Sequence, residues 1–68
     1  MEDFIYTEEY RYYGNNSGWY PVYVRKSSIS QIKPDPFDSE RTILYTVNGE
    51  LLIVKIPFDK FIELIKGS

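Results

Sequence analysis

Arg41-Thr42-Ile43-Leu44-Tyr45-Thr46-Val47-Asn48-Gly49-Glu50-Leu51-Leu52-Ile53-Val54-Lys55-Ile56 is the stretch that decides the fold. Residues 41–48 and 50–56 are rich in β-branched and aromatic side chains, and they meet at Asn48-Gly49, a strong local signal for a hairpin. A type I′ turn there, with positive φ at both central positions, predicts that Ile43 faces Val54 and Tyr45 faces Leu52. Leu44 with Ile53 and Thr46 with Leu51 then occupy the opposite side. Both sides carry apolar residues, so both are expected to be at least partly covered.

Downstream of Pro57, the residues Phe58, Phe61, Ile62 and Ile65 recur at i, i+3, i+4 and i+7, with Asp59, Lys60, Glu63 and Lys66 between them. This spacing predicts an amphipathic helix over 57–66, with Gly67 as its stop. Upstream, Phe4 to Tyr13 approaches a period of two, Gly14-Asn15-Asn16-Ser17-Gly18 has turn chemistry, and Trp19 to Arg25 reads as a second strand. Residues 4–26 are therefore expected to form an aromatic hairpin, with Pro21, which has no N–H to donate, at an edge or a bulge. Ile29 to Ile32 is a third strand or an irregular turn. Residues 33–40 hold two prolines and three acids and read as a loop. The expected fold is α+β and mostly β: four to five antiparallel strands in two hairpins, forming a curled sheet or small barrel, with a C-terminal amphipathic helix.

Sixty-eight residues, 43% hydrophobic and 18% aromatic, make one small domain of residues 1–68. A core of that size rarely supplies more than about 3–5 kcal/mol, so a homodimer formed through the second apolar face is one expectation. Ten acids against eight bases give a net charge of -2, which offers no global attraction to phosphate or anionic lipid. Cys and His are both absent, which removes disulfides, thiolate and imidazole chemistry and the usual zinc ligands. The longest apolar run, Leu51 to Val54, is far short of the roughly 18 residues of a membrane span. Met1-Glu2-Asp3-Phe4 has acids where a secretory signal has bases, so the expected location is cytoplasmic. Alanine is absent while Ile, Tyr and Lys abound, a bias associated with AT-rich coding in low-GC bacteria and their phages.

From Val22 onward, the residues Val22, Val24, Ile29, Ile32, Thr42-Ile43, Asn48-Gly49, Leu52, Val54, Phe58, Phe61, Ile62 and Ile65 resemble the small bacterial flagellar and swarming-motility proteins of the FlbD kind. The resemblance covers about two thirds of the chain. It implies a compact β-hairpin protein ending in a helix, a non-enzymatic regulator that binds a partner, and it transfers no functional residue. The acidic loop and the aromatic segment before Val22 depart from that pattern.

Catalysis would have to come from Asp, Glu, Lys, Ser and Tyr. Ser27, Ser28 and Ser30 near Lys26 read as turn serines, and Glu8 and Glu9 as strand neighbours pointing to opposite faces. No enzyme activity, no cofactor and no metal site is expected. Asp35, Asp38 and Glu40 lack the spacing and glycine of a calcium loop and read as a solvated acidic rim. Asn15-Asn16-Ser17 matches a glycosylation sequon but reads as a turn.

The aromatic hairpin is where a partner is expected to bind. A five-residue turn pairing Tyr13 with Trp19 places Tyr6, Tyr10 and Tyr12 in the core with Tyr20, Val22 and Val24. Arg11, Tyr13, Trp19, Tyr23 and Arg25 then share the other face, a mixture of residue types enriched at interface hot spots. The expected function is a non-enzymatic protein-interaction module, a small bacterial or phage regulator or inhibitor that occludes a site on a cytoplasmic partner. In that reading Trp19 is an anchor, and Asp35, Asp38 and Glu40 steer toward a basic partner. The alternative is single-stranded nucleic-acid binding by the same aromatics, which the charge balance around them opposes.

Overall fold

The computed structural model describes residues 3–66. In chain order it contains β1 (Phe4–Tyr13), β2 (Asn16–Arg25), a 3-10 turn (Lys26–Ser28), β3 (Ile29–Pro34), β4 (Thr42–Thr46), β5 (Leu51–Val54) and α1 (Phe58–Lys66). The strands form a single antiparallel sheet in the order β2-β1-β5-β4-β3. The expected α+β, mostly β fold is the one observed, with the sheet curled but open rather than closed into a barrel. Curling follows from connectivity. The two edge strands, β2 and β3, are joined by only the three residues of the 3-10 turn, so the sheet must bend to bring its edges together. Ile29–Pro34 is a strand rather than an irregular turn, and the expected helix stop, Gly67, lies outside the described residues.

Gly14 has φ 57°, and among the described residues no non-glycine has a positive φ, so Gly14-Asn15 is a two-residue turn of the II′ kind. It pairs Tyr13 with Asn16 and Tyr10 with Trp19. The expected pairing of Tyr13 with Trp19 is therefore off by three residues, and an odd shift exchanges the two faces. The residues turned inward are Ile5, Thr7 and Glu9 with Val24 and Val22, while Tyr6, Tyr10 and Tyr12 point outward.

The second hairpin is where the sequence places it, but its turn is longer. Gly49, at φ 87°, donates its N–H to the Thr46 carbonyl (2.9 Å), and the Thr46 N–H donates to the Glu50 carbonyl (2.9 Å). These bonds enclose a three-residue loop ending in a left-handed glycine, which requires positive φ at Gly49 alone. The register becomes Thr42 with Val54, Ile43 with Ile53 and Leu44 with Leu52, one residue from the type I′ expectation. Thr42, Leu44 and Val54 consequently face inward and are buried, and Ile43, Tyr45 and Ile53 face out. A bulge between Ile29 and Gln31 does similar work on β3: it places both Ile29 and Ile32 on the inner side, although they are three residues apart. The Ser30 hydroxyl donates to the carbonyls of Tyr45 (3.2 Å) and Thr46 (3.4 Å) at the bulge.

The core is Ile5, Val24, Leu44, Val54 and Phe61, backed by Val22, Ile29, Ile32, Leu52 and Ile56. α1 supplies Phe61, which is wholly buried; Phe58 and Ile62 are half-buried, and Ile65 lies at the exposed margin. The helix starts with the Phe61 N–H donating to the Pro57 carbonyl (2.9 Å). Asp59 in its first turn and Lys66 in its last both complement the helix dipole. Thr42, also fully buried, satisfies its hydroxyl by donating to the Ile56 carbonyl at 2.7 Å, which ties β4 to the segment leading into the helix. Removing the Phe61 ring from this small core should cost about 3–5 kcal/mol, most of the stability of such a domain. Phe61→Ala is therefore expected to show no cooperative melt by circular dichroism, whereas a native-like melt would place the core elsewhere.

Candidate outer-face binding site

β1 and β2 are each ten residues long, and they form a ribbon that accounts for the 38 Å longest dimension of the molecule. β1 joins β5 only around Glu9 and Val54, where the Lys55 N–H donates to the Glu8 carbonyl (3.0 Å). The outward side of the ribbon carries Phe4, Tyr6, Tyr10 and Tyr12 from β1 and Trp19, Tyr23 and Arg25 from β2. Their rings touch in sequence. Phe4 lies 6.3 Å from Tyr23, Tyr23 4.9 Å from Tyr6, Tyr10 5.2 Å from Trp19 and 4.9 Å from Tyr12. Tyr6, Tyr12 and Tyr23 are each more than 60% exposed, well beyond what packing against a core would leave. Between the Tyr6/Tyr23 and Tyr10/Trp19 pairs sits the facing pair Glu8 and Pro21.

Cations cover several of these rings. Arg25 lies over Phe4 (4.8 Å) and Lys55 over Trp19 (5.5 Å), while Lys33 covers Tyr45 (5.3 Å) farther along the same side of the sheet. Such contacts contribute about 0.5–1 kcal/mol each at exposed sites and hold the charges beside the rings. Among the described residues the acids on this side are Glu8 and Asp3, the latter 3.7 Å from Arg25.

Neither edge of the sheet, among the described residues, offers an uninterrupted ladder to an added strand. Counting from the Tyr13–Asn16 pair, alternate pairs of an antiparallel ladder exchange hydrogen bonds, so Pro21 stands where its nitrogen points away from β1. The free edge of β2 therefore lacks a donor at its middle. β3 is interrupted by the Ser30 bulge and ends at Pro34.

Of the five residues expected to form one binding face, Trp19, Tyr23 and Arg25 are together, and Arg11 and Tyr13 lie on the reverse side of the ribbon. There the Arg11 guanidinium donates to both Glu9 carboxylate oxygens (2.9 and 3.4 Å) and to the Tyr13 hydroxyl (2.6 Å). These bonds, Glu9 foremost, hold the Arg11 pKa above the usual guanidinium range. Arg11 thus neutralises the buried carboxylate of Glu9 rather than presenting its charge to a ligand. An open groove of about 660 Å³ is lined on this side by Val22, Val24, Leu52 and the Glu9–Arg11 pair, and also by Phe4, Tyr23 and Arg25. Phe4, Tyr6, Tyr10, Tyr12 and Lys55 were not expected on the outward face. The signal for them was Gly14, since glycine at the first central position of a two-residue turn is the II′ signature.

The acidic segment is not a free rim. Asp35 is buried and pairs with Arg41 (2.9 Å); Asp38 lies 3.5 Å from the same guanidinium. Each aspartate also accepts a backbone N–H two residues on, from Phe37 (2.8 Å) and Glu40 (2.9 Å) respectively, so both shape consecutive Asx turns. Only Glu40 of the three expected rim residues is exposed and outside the Arg41 cluster.

No family model, no curated protein and no solved structure matches the chain.

Losing the buried Asp35 carboxylate removes the shorter of the two Arg41 ion pairs and leaves the Phe37 amide without its acceptor. Asp35→Ala is expected to lower stability by about 1–3 kcal/mol in urea denaturation, and Glu40→Ala by less than about 0.5 kcal/mol. Equal effects of the two substitutions would contradict the clamp.

Proposed function

We propose that this chain is a non-enzymatic protein-interaction module that docks a partner on the outward aromatic face of the β1–β2 ribbon. The observation that carries the reading is a pair of ring clusters on one face, Phe4–Tyr23–Tyr6 and Tyr12–Tyr10–Trp19, with Phe4, Tyr6, Tyr12 and Tyr23 exposed, on a sheet whose two edges are both interrupted. Large exposed apolar patches mark contact surfaces, and Tyr, Trp and Arg are the residues enriched where such contacts are strongest. Interrupted edges leave the face as the docking surface. The mechanism is steric: a ribbon two strands wide covers a site on the partner and excludes other ligands from it.

The side chains around the rings support an acidic partner rather than the basic one suggested by Asp35, Asp38 and Glu40. Asp35 and Asp38 are engaged by Arg41, whereas Arg25, Lys33 and Lys55 stand on the aromatic side, so the complementary surface is acidic. A regulator or inhibitor from a bacterium or phage, acting in the cytoplasm, accords with the FlbD-like sequence pattern. No helix among the described residues is long and apolar enough to cross a membrane. Nucleic acid fits less well, because Glu8 stands between the ring clusters and Asp3 beside Arg25, where both would face its phosphates.

The test is a pull-down from bacterial lysate, with and without nuclease treatment, using wild type, Trp19→Ala/Tyr23→Ala and Tyr13→Ala. Partners captured by wild type should be lost with the outer-face double variant and kept with Tyr13→Ala, both variants retaining a β-rich circular dichroism spectrum. Equal recovery by all three proteins would overturn the reading. Loss of capture on nuclease treatment alone would transfer it to nucleic acid.

A further inference from the structure

Resting on that reading, we propose that the outer face is covered, while no partner is bound, by the same face of a second copy of this chain, in a weak two-fold pairing centred on Glu8 and Lys55. Both residues are exposed, and neither has an ion-pair partner among the described residues. They stand opposite one another on neighbouring segments: the Lys55 N–H donates to the Glu8 carbonyl (3.0 Å), one step along from the Glu9–Val54 pair. The Lys55 ammonium lies 5.5 Å from the centre of the Trp19 ring, so its charge stays on the outer face. Asp3 and Arg25 lie at the far end of the ribbon and are already within 3.7 Å of each other. A carboxylate and an ammonium side by side, each without a partner, are self-complementary, because a two-fold contact sets residue i against j and j against i.

The register extends the match beyond the charges. A two-fold axis running along the strands between β1 and β5 sets β1 of each copy over β5 of the other, as in aligned packing of two sheets. Glu8 of each copy then meets Lys55 of the other. One step from the Glu9–Val54 pair, Tyr10 stands level with Ile53, and these two are paired in turn with Trp19 and Ile43. The Tyr10–Trp19 rings of one copy therefore lie over the outward Ile53–Ile43 pair of the other, which gives those aliphatic side chains an apolar counterpart. Area sets the strength. An aromatic side chain offers roughly 150–250 Å² when fully exposed, and Tyr10, Trp19, Ile43 and Ile53 are each half-buried within their own chain. The strip is then on the order of 500 Å² per copy, short of the roughly 800 Å² per partner of a standard stable interface. Such a pairing is exchangeable: an acidic partner takes Lys55 from Glu8 of the second copy and docks on the rings it uncovers.

Sedimentation equilibrium of the purified chain between about 1 μM and about 1 mM reads the pairing. The wild-type mass should rise from 8.1 kDa toward twice that value, with a Kd between about 10 and about 500 μM. Trp19 is the only tryptophan, and its quenching by acrylamide should fall over the same concentrations as the ring is covered. Glu8→Lys and Lys55→Glu each set like charges against one another and should raise the Kd at least about tenfold. An equimolar mixture of the two variants restores both attractions and should return the Kd to within about threefold of wild type, a rescue that the fold of either chain alone does not supply. A wild type that stays at 8.1 kDa throughout would overturn the pairing and leave the docking module standing. Association that the two reversals leave unchanged, or that their mixture fails to recover, would overturn the pairing in the same way. If the pairing holds while capture of lysate partners proves independent of Trp19 and Tyr23, the docking reading falls and the masking role with it.

Discussion

Gly14 sits at φ 57°, and that one backbone angle has the widest consequences in the molecule. A left-handed residue at the first central position closes the turn in two residues, which fixes Tyr13 opposite Asn16 and every later pair in the ribbon. Because side chains alternate strictly along a strand, the same choice sends Ile5, Thr7 and Glu9 inward and four aromatics of β1 outward. It also places Pro21 where its missing N–H disturbs no ladder bond, and thereby leaves the outer edge of β2 without a donor at its middle. Fold, binding face and resistance to edge pairing therefore share one origin.

Three local irregularities complete the inner side. The loop ending at Gly49 has three residues instead of two, the Ser30 bulge inserts one residue into β3, and the 3-10 turn at Lys26–Ser28 links the edge strands. Each changes which side chains face in. Together they gather Val22, Ile29, Ile32, Leu44, Leu52 and Val54 around Phe61. With five buried apolar side chains at its centre among the described residues, the interior has little redundancy. Polar side chains at its margin are accordingly satisfied, Thr42 by the Ile56 carbonyl and Glu9 by Arg11.

Much of this was legible in the sequence. The Asn48-Gly49 hairpin, the amphipathic helix with Phe61 as its buried member, the turn at Gly14 and the edge position of Pro21 follow from local chemistry and spacing. Facing was not legible, and the reason is physical. Tyr6, Tyr10 and Tyr12 are apolar enough to line a core and polar enough to stand in water, so alternation in β1 reads equally well in either direction. Ile43 and Tyr45 alternate with Leu44 and Thr46 in the same ambiguous way, and one extra loop residue reverses them. The acidic segment misled for a different reason: its neutralising partner, Arg41, stands at the end of the loop just before β4, six residues from Asp35, and only the loop's own turns bring it back onto Asp35.

The register of the first hairpin is what the outward aromatic face depends on, and it can be read directly in solution. In an antiparallel ribbon, non-hydrogen-bonded pairs bring their α-carbons to about 4.5 Å, close enough for strong nuclear Overhauser effects between α-protons. Tyr10–Trp19 and Tyr6–Tyr23 α-proton contacts are the predicted result. A Tyr13–Trp19 contact in their place would return Tyr6, Tyr10 and Tyr12 to the core and dismantle the binding face.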